Sequence, residues 1–335
     1  MTDHKRQAWS AFSFAAGTAL VGIALICGLI PLASSLAQPA ATTINVVVQP
    51  AATGLPMVVA EKKGMLAKRN IAAKWTVSQV PISDTVNTLG RQYDIAMGTQ
   101  PALIAAAGSG IPVVVITGGG LDTPQIPLAN VVARKDSGIT SFKQLGGKTV
   151  GALTLTGNIH FALLSVLLKA GVDLDSIHWV VATIPQLPDL LKAGRVEAIE
   201  EIEPFAGMAI GAGGVALGDP FRGIGDRAFI GYWLAQRDWA NKNQDLVLRV
   251  NDAMNEASDW IRANGDEARA ILGSFTGLQG PALEKTPIPA FSFAPTVADL
   301  KKEIVPDLQE WNEILKRTSD IRPVEVSNLL PAWVK

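Results

Sequence analysis

The chain has 335 residues, enough for two ordinary domains, and its 48% hydrophobic and 18% charged composition is that of a globular protein. Its 29 Lys and Arg against 30 Asp and Glu give a net charge of −1 without any basic run, which argues against nucleic acid as a partner. No segment is poor enough in apolar residues to be read as disordered.

The first 37 residues have the pattern of a secretory signal peptide. Lys5 and Arg6 form a short basic region, residues 12–33 are almost wholly apolar, and Pro31 breaks the run. Ser35-Leu36-Ala37 is a small-x-small site, so cleavage is expected after Ala37. The alternative is an uncleaved anchor, since about 20 apolar residues can span a bilayer. Cys27 is the only cysteine and lies inside this segment. The preceding Ala24-Leu25-Ile26 lacks the small residue that a lipoprotein signal places before its Cys. The chain beyond Ala37 therefore has no thiol, disulfide or cysteine nucleophile. Losing Lys5, Arg6 and Asp3 moves the net charge from −1 to −2.

Beyond residue 44, strands alternate with helices, the pattern of a mostly parallel sheet covered on both faces. Strands are predicted over 44–48, 73–77, 93–97, 113–117 and 128–133. The helices between them are predicted over 55–65, from Ser83-Asp84 with Ser83 as N-cap, and from Pro101 to Gly108. A second unit has strands at 149–152, 179–183, 196–200, 215–217 and 229–235. Its helices are expected over 159–170 and 187–193, with a Gly/Ala-rich one after Pro204. Two long helical patterns, 239–263 and 297–316, flank a Pro-rich connection at 281–295, and this tail is expected to pack on the first unit. No internal repeat of fixed period is visible.

In open α/β sheets, ligands sit beyond the carboxyl ends of the strands. That rule selects the loops 49–56, 78–84, 98–101, 118–122, 154–160, 183–186 and 201–204. Several lead into helix N-termini, whose free N–H groups suit an anion. The candidate ligand contacts are Gln49, Pro50, Ser83, Gly98, Thr99, Gln100, Thr154, Thr156, Gly157 and Asn158, with His160, Glu203 and Tyr232 beside them. Glycine there would let a ligand approach the backbone closely. Each loop serves equally well as a helix cap without a ligand. His178, Trp75 and Trp179 read as structural. The loops hold few Lys or Arg, which leaves room for a neutral or zwitterionic ligand, and Asp84, Asp122 and Glu203 would favour an amine-bearing one.

Catalytic signatures are thin. No His/carboxylate metal spacing, nucleophile elbow or phosphate-loop lysine occurs, so no catalytic residue, metal or cofactor is expected. Gly211-Ala212-Gly213-Gly214-Val215-Ala216 matches a dinucleotide fingerprint by letters, but it follows a helix and precedes a strand, so it reads as a turn.

Four stretches in order resemble the solute-binding proteins of ABC importers for sulfonates, taurine, nitrate and thiamine-precursor pyrimidines. They are residues 56–65, ending in Glu61-Lys62-Lys63-Gly64-Met65; then Tyr93-Asp94-Ile95-Ala96-Met97-Gly98 with Pro101 after it; then 132–139 with Leu145-Gly146-Gly147-Lys148-Thr149-Val150; and Ala193-Gly194-Arg195-Val196-Glu197-Ala198 before Glu203-Pro204. The resemblance covers roughly 44–235. The chain departs from the family at Gly90-Arg91-Gln92-Tyr93 and in the aromatic-free loop 49–54, which leaves the ligand open.

The resemblance implies a type II periplasmic-binding-protein fold of class α/β: two lobes, each with a mostly parallel sheet flanked by helices, joined by a two-crossing hinge. Lobe 1 would combine 44–130 with 235–335, and lobe 2 would span 131–230, with crossings near 129–134 and 228–236. It further implies a periplasmic monomer that captures a small-molecule solute between the lobes and delivers it to a membrane permease. The alternatives are a membrane-anchored ligand-sensing domain and an enzyme of the pyrimidine-synthesis type on the same fold. Such enzymes need reactive His or Cys residues that the chain beyond residue 37 mostly lacks.

Overall fold

A computed structural model describes residues 40–78, 82 and 84–334. The proposed signal segment with Cys27, and the candidate Ser83, lie outside the described residues. The chain begins with β1 (Thr42–Val48), α1 (Leu55–Lys62), β2 (Ile71–Val77), β3 (Ile95–Gly98), α2 (Gln100–Gly108), β4 (Val113–Thr117) and a short β5 (Gly120–Asp122). Next come β6 (Ala129–Ala133), β7 (Thr149–Ala152), α3 (Asn158–Lys169), β8 (His178–Val181), α4 (Leu187–Lys192), β9 (Ala198–Ile202), α5 (Phe205–Gly211) and β10 (Val215–Gly218). A second short strand, β11 (Ala228–Phe229), leads into β12 (Tyr232–Gln236). The tail comprises α6 (Arg237–Lys242), α7 (Gln244–Ala263), α8 (Gly265–Thr276), α9 (Gly280–Lys285), β13 (Ala290–Phe291) and α10 (Val297–Thr318).

The strands form two five-stranded sheets and one small one. The first has the order β2-β1-β3-β12-β4 and the second β10-β6-β9-β7-β8. In the first, β1 runs parallel to β2 and β3, while β12 is antiparallel to both β3 and β4. In the second, β7 runs parallel to β8 and β9, while β6 is antiparallel to β9 and β10. Each sheet thus has a single reversed strand, and that strand is where the chain enters after leaving the other sheet. Both sheets share one strand order although the sequence shows no repeat.

The connections between the large sheets are themselves strands. β5 links β4 to β6, β11 links β10 to β12, and the two pair antiparallel, Ala228 with Asp122 and Phe229 with Leu121. β13 completes this sheet from the tail. The crossings therefore sit at 120–122 and 228–229. Residues 129–133, predicted as part of a crossing, already form an inner strand of the second sheet, and 232–236 belong to the first. The predicted strand over 229–235 is broken at Ile230-Gly231, where a Cβ on Gly231 would lie 2.8 Å from the Gly98 carbonyl oxygen.

Period-two alternation explains the Val-rich β1. Ile44, Val46 and Val48 face a core shared with α1, α7 and α8, while Val47 faces the opposite core, so both sides are apolar. That opposite core contains Leu103 and Ile104 of α2, Leu300, Ile304, Leu308, Trp311 and Leu315 of α10, and Phe161 to Leu164 of α3. α10 presents these residues at helical spacing and packs against helices on both sheets. The tail thus reaches the second sheet as well as the first.

Other departures from the predicted elements have local causes. Residues 85–88 make one 3₁₀ turn in place of the predicted helix, in a Thr/Asn-rich stretch of poor helix formers that closes at Gly90 with φ 73°. The predicted helix 239–263 divides at Asn243, and α8, masked in the sequence by Gly265 and Gly273, lies outside every predicted element.

Candidate functional site

The strand-end loops of the first sheet are tightly built. Gly98 has no room for a side chain, because a Cβ would lie 2.4 Å from Leu234 Cδ1. Thr99 is the N-cap of α2, its hydroxyl accepting from the Ala102 N–H at 3.4 Å. Gln100, the first helical residue and fully buried, donates through Nε2 to the Phe229 carbonyl at 2.8 Å. Gln49 is half-buried and Pro50 exposed, in the loop before α1. That loop borders the crossing sheet, since a Cβ on Gly120 would lie 3.0 Å from Thr53 Cγ2. Gly118 and Gly119 face backbone too, with Ser292 O and Gly231 O 2.4 and 2.7 Å from their Cβ positions. Gly98, the predicted ligand contact among them, thus lies against β12, while Gly118 and Gly119 lie against backbone of the tail and of the return crossing.

In the second sheet, Thr154 and Thr156 share a hydroxyl–hydroxyl hydrogen bond of 3.1 Å. Thr156 is exposed and Thr154 half-buried, and Gly157 caps α3 with extended backbone. Asn158, first in α3, donates through Nδ2 to the Ile230 carbonyl at 2.6 Å. His160 lies deeper: its Nδ1 is 3.3 Å from Glu200 Oε2, and its ring meets the edge of Trp179 with centroids 4.5 Å apart. Trp75 and Trp179 are partly buried, and His178 is exposed. Tyr232 is fully buried, tilts against Phe229 with centroids 5.5 Å apart, and donates its hydroxyl to Asp307 of α10.

Gly98, Gln100, Asn158 and Tyr232 therefore converge on the return crossing, whereas His160 and Glu203 do not. Glu203 Oε2 accepts from the Gly207 N–H at 3.0 Å, turned into its own helix. Asp122 is fully buried, accepts from the Leu128 N–H at 2.7 Å and pairs with Arg222, whose Nε also reaches Asp219 at 3.0 Å. It is thus committed to the crossing, where the sequence suggested a loop acid facing a ligand amine.

Burial raises the acids here. Glu201, fully buried, is pushed up to about 8 by desolvation, against one hydrogen bond from the Ile202 N–H. Its Oε2 has no partner among the described residues. Desolvation also raises Glu200, opposed by His160, and raises Glu203. Asp122 rises to about 7 through burial and its neighbour Asp219, and Asp307 rises to about 6 through burial. Sequence reasoning missed Glu200, Glu201, Arg222 and Asp307. The doubled acid in the otherwise apolar Ala198–Ile202 was the available signal; nothing comparable marked Asp307.

Leu155, Val181 and Met208 are exposed apolar side chains, in the loop after β7, at the last position of β8 and on the helix after β9. Two surface depressions, about 420 Å³ beside Arg91 and about 810 Å³ along α10, are lined by none of the candidate residues.

Two five-stranded sheets of identical order, linked by two paired crossing strands, define the type II periplasmic-binding-protein fold. The chain belongs to the NMT1/THI5-like family, whose sequence profile matches residues 52–268. It is 24% identical over 278 residues to an aliphatic sulfonates-binding protein of Escherichia coli (strain K12), covering 79% of this chain and 83% of that one. The periplasmic aliphatic sulphonate binding protein SsuA of Escherichia coli superposes with a TM-score of 0.67 at 21% identity, over 86% of this chain and 98% of that one. The alkanesulfonate-binding protein SsuA of Xanthomonas axonopodis pv. citri, bound to MOPS, gives 0.69 at 17% identity, over 88% and 99%. The fold is not confined to binding proteins: the desulfurization enzyme DSZB shares it with a TM-score of 0.59 at 16% identity, over 88% and 97%.

Proposed function

We propose that this chain is the solute-binding component of an ABC importer and takes a small organic solute with an alkyl body and a compact polar head, an alkanesulfonate being the best fit. The observation that carries the reading is the placement of the α2 and α3 N-termini on either side of one crossing strand, each fed by a loop of neutral donors. Thr154, Thr156 and the backbone at Gly157 supply N–H and O–H groups for a head group without needing Lys or Arg. Leu155, Val181 and Met208 offer apolar surface for the body. The elements up to β4, with β12 and the tail, act as one lobe and β6 to β10 as the other, closing on the solute and presenting the closed surface to a membrane permease. Export through residues 1–37 would place the protein in the periplasm, and no catalytic role is assigned to it.

The test is a thermal-shift screen of the purified, ligand-free protein against alkanesulfonates, taurine, nitrate, aromatic carboxylates and pyrimidines. A solute at 100 times its Kd stabilises by about 2.7 kcal/mol, a rise of several degrees in Tm. Alkanesulfonates are expected to give the largest rise. A rise with pyrimidines alone would overturn the solute class, and no rise with any solute would overturn the binding function.

A further inference from the structure

We infer that Gln100 and Asn158 are hinge-positioning residues: together they clamp the return crossing at Phe229-Ile230 and set how far the two lobes stand apart. Each is the first residue of a helix that follows a parallel strand, α2 after β3 in the first sheet and α3 after β7 in the second. Their carboxamides donate to consecutive carbonyls of one strand–turn segment, Gln100 to Phe229 O at 2.8 Å and Asn158 to Ile230 O at 2.6 Å. Gln100 is fully buried and Asn158 nearly so, so neither bond competes easily with water.

The turn they hold is packed backbone against backbone. Gly231 lies against the Gly98 carbonyl, Gly119 against the Gly231 carbonyl, and Tyr232 is anchored by its hydroxyl to Asp307. Ile230 and Gly231 join β11 of the small crossing sheet to β12 of the first large sheet, so their φ and ψ are one place where one large sheet can turn against the other. Each carboxamide therefore ties one lobe's helix to the same pivot, and losing either frees that lobe alone. The consequence for affinity rests on the solute-binding reading, but the clamp does not.

The test measures inter-lobe distance without any solute. In the full chain with Cys27→Ser, spin labels are attached at Lys62→Cys on α1 and Lys192→Cys on α4, both exposed. Gln100→Met keeps the length of the side chain without a donor, and Asn158→Leu does the same at the second site. Removing one buried hydrogen bond should change the ratio of open to closed distances by about tenfold in each variant. Solute affinities should then shift by one common factor for every compound that binds. Unchanged distances in a folded Gln100→Met protein would by themselves overturn the clamp, whether or not Asn158→Leu folds. Unchanged distances with affinity lost for one solute class only would instead make these residues direct ligand contacts. Failure of every solute to bind would refute the importer reading and leave the distance result standing.

Discussion

Glu201→Gln should stabilise this protein, against the usual expectation for a buried acid. In the folded chain the carboxyl is fully buried, accepts one hydrogen bond from the Ile202 N–H at 2.9 Å, and is pushed up to about 8. In the unfolded chain it titrates near its ordinary value of 4.5. Between those two values the folded state holds a proton that the unfolded state has released, so stability is full below pH 4.5 and falls as pH rises toward 8. At pH 7 the loss amounts to about 3 kcal/mol, at 1.36 kcal/mol per pH unit over the part of the window already crossed. Glutamine keeps the acceptor for Ile202, leaves the same partnerless second atom and never ionises. At pH 7 the variant should gain up to about 3 kcal/mol, a Tm increase of roughly 5 °C or more for a chain of this size. At pH 4.5 the two proteins should melt together. Urea unfolding at half-unit pH steps from 4.5 to 8.5 reads both quantities, and the wild type should lose one proton's worth of slope that the variant lacks. A variant less stable than wild type at pH 7, or parallel pH curves, would refute the assignment of a protonated Glu201.

Two substitutions test the crossings themselves. Arg222→Met removes the guanidinium shared by Asp122 and Asp219, and should cost roughly 3 kcal/mol by urea unfolding. The cost should be larger at pH 8 than at pH 5, because Asp122, raised to about 7, is protonated at the lower pH and needs no cation there. Equal losses at both pH values would show that Arg222 acts through packing alone. Gly231→Ala should cost about 1–3 kcal/mol, because its Cβ would meet the Gly98 carbonyl at 2.8 Å. Gly225→Ala, whose nearest neighbour would be 3.9 Å away, should leave Tm nearly unchanged.

What was legible in the sequence follows the range of the forces involved. The strands at 44–48 and 113–117 could be read because runs of Val and Ile between turn residues have few alternatives once both faces are buried. The α2 start was legible because Thr99 and Pro101 are local signals. Strand order and the crossings were not, since pairing partners such as Phe229 and Leu121 lie over a hundred positions apart and β5 and β11 are very short. The stretch 118–120 shows the limit clearly. Three consecutive glycines in one of the strand-end loops announce a close approach but do not say of what, and their neighbours are Ser292, Gly231 and Thr53 of the same chain. Gln100 and Asn158 stand out in the sequence as donors next to helix N-termini. A carboxamide at that position can bind a solute or a carbonyl of its own chain with equal chemistry, so only three-dimensional placement separates the two.

Two of the three acids behind one sequence expectation about the solute are engaged within the chain. Counted as letters, Asp84, Asp122 and Glu203 favoured an amine. In the folded chain Asp122 faces Arg222, Glu203 accepts from its own helix, Glu200 faces His160, and Glu201 keeps its proton at pH 7. Asp307, the remaining buried acid, is held by the Tyr232 hydroxyl. None of these five carboxyls is left to meet an ammonium group, while the exposed side chains beside the strand ends include Thr156, Leu155 and Met208. Carboxyls that face a cation, are turned into their own helix or keep a proton offer little charge to repel an anion, and neutral N–H and O–H donors can hold one at the start of a helix. An amine head would gain no partner among these acids and would lose its water. This is the physical ground for our proposal of an alkanesulfonate ahead of taurine, whose ammonium group would gain no partner among these five acids.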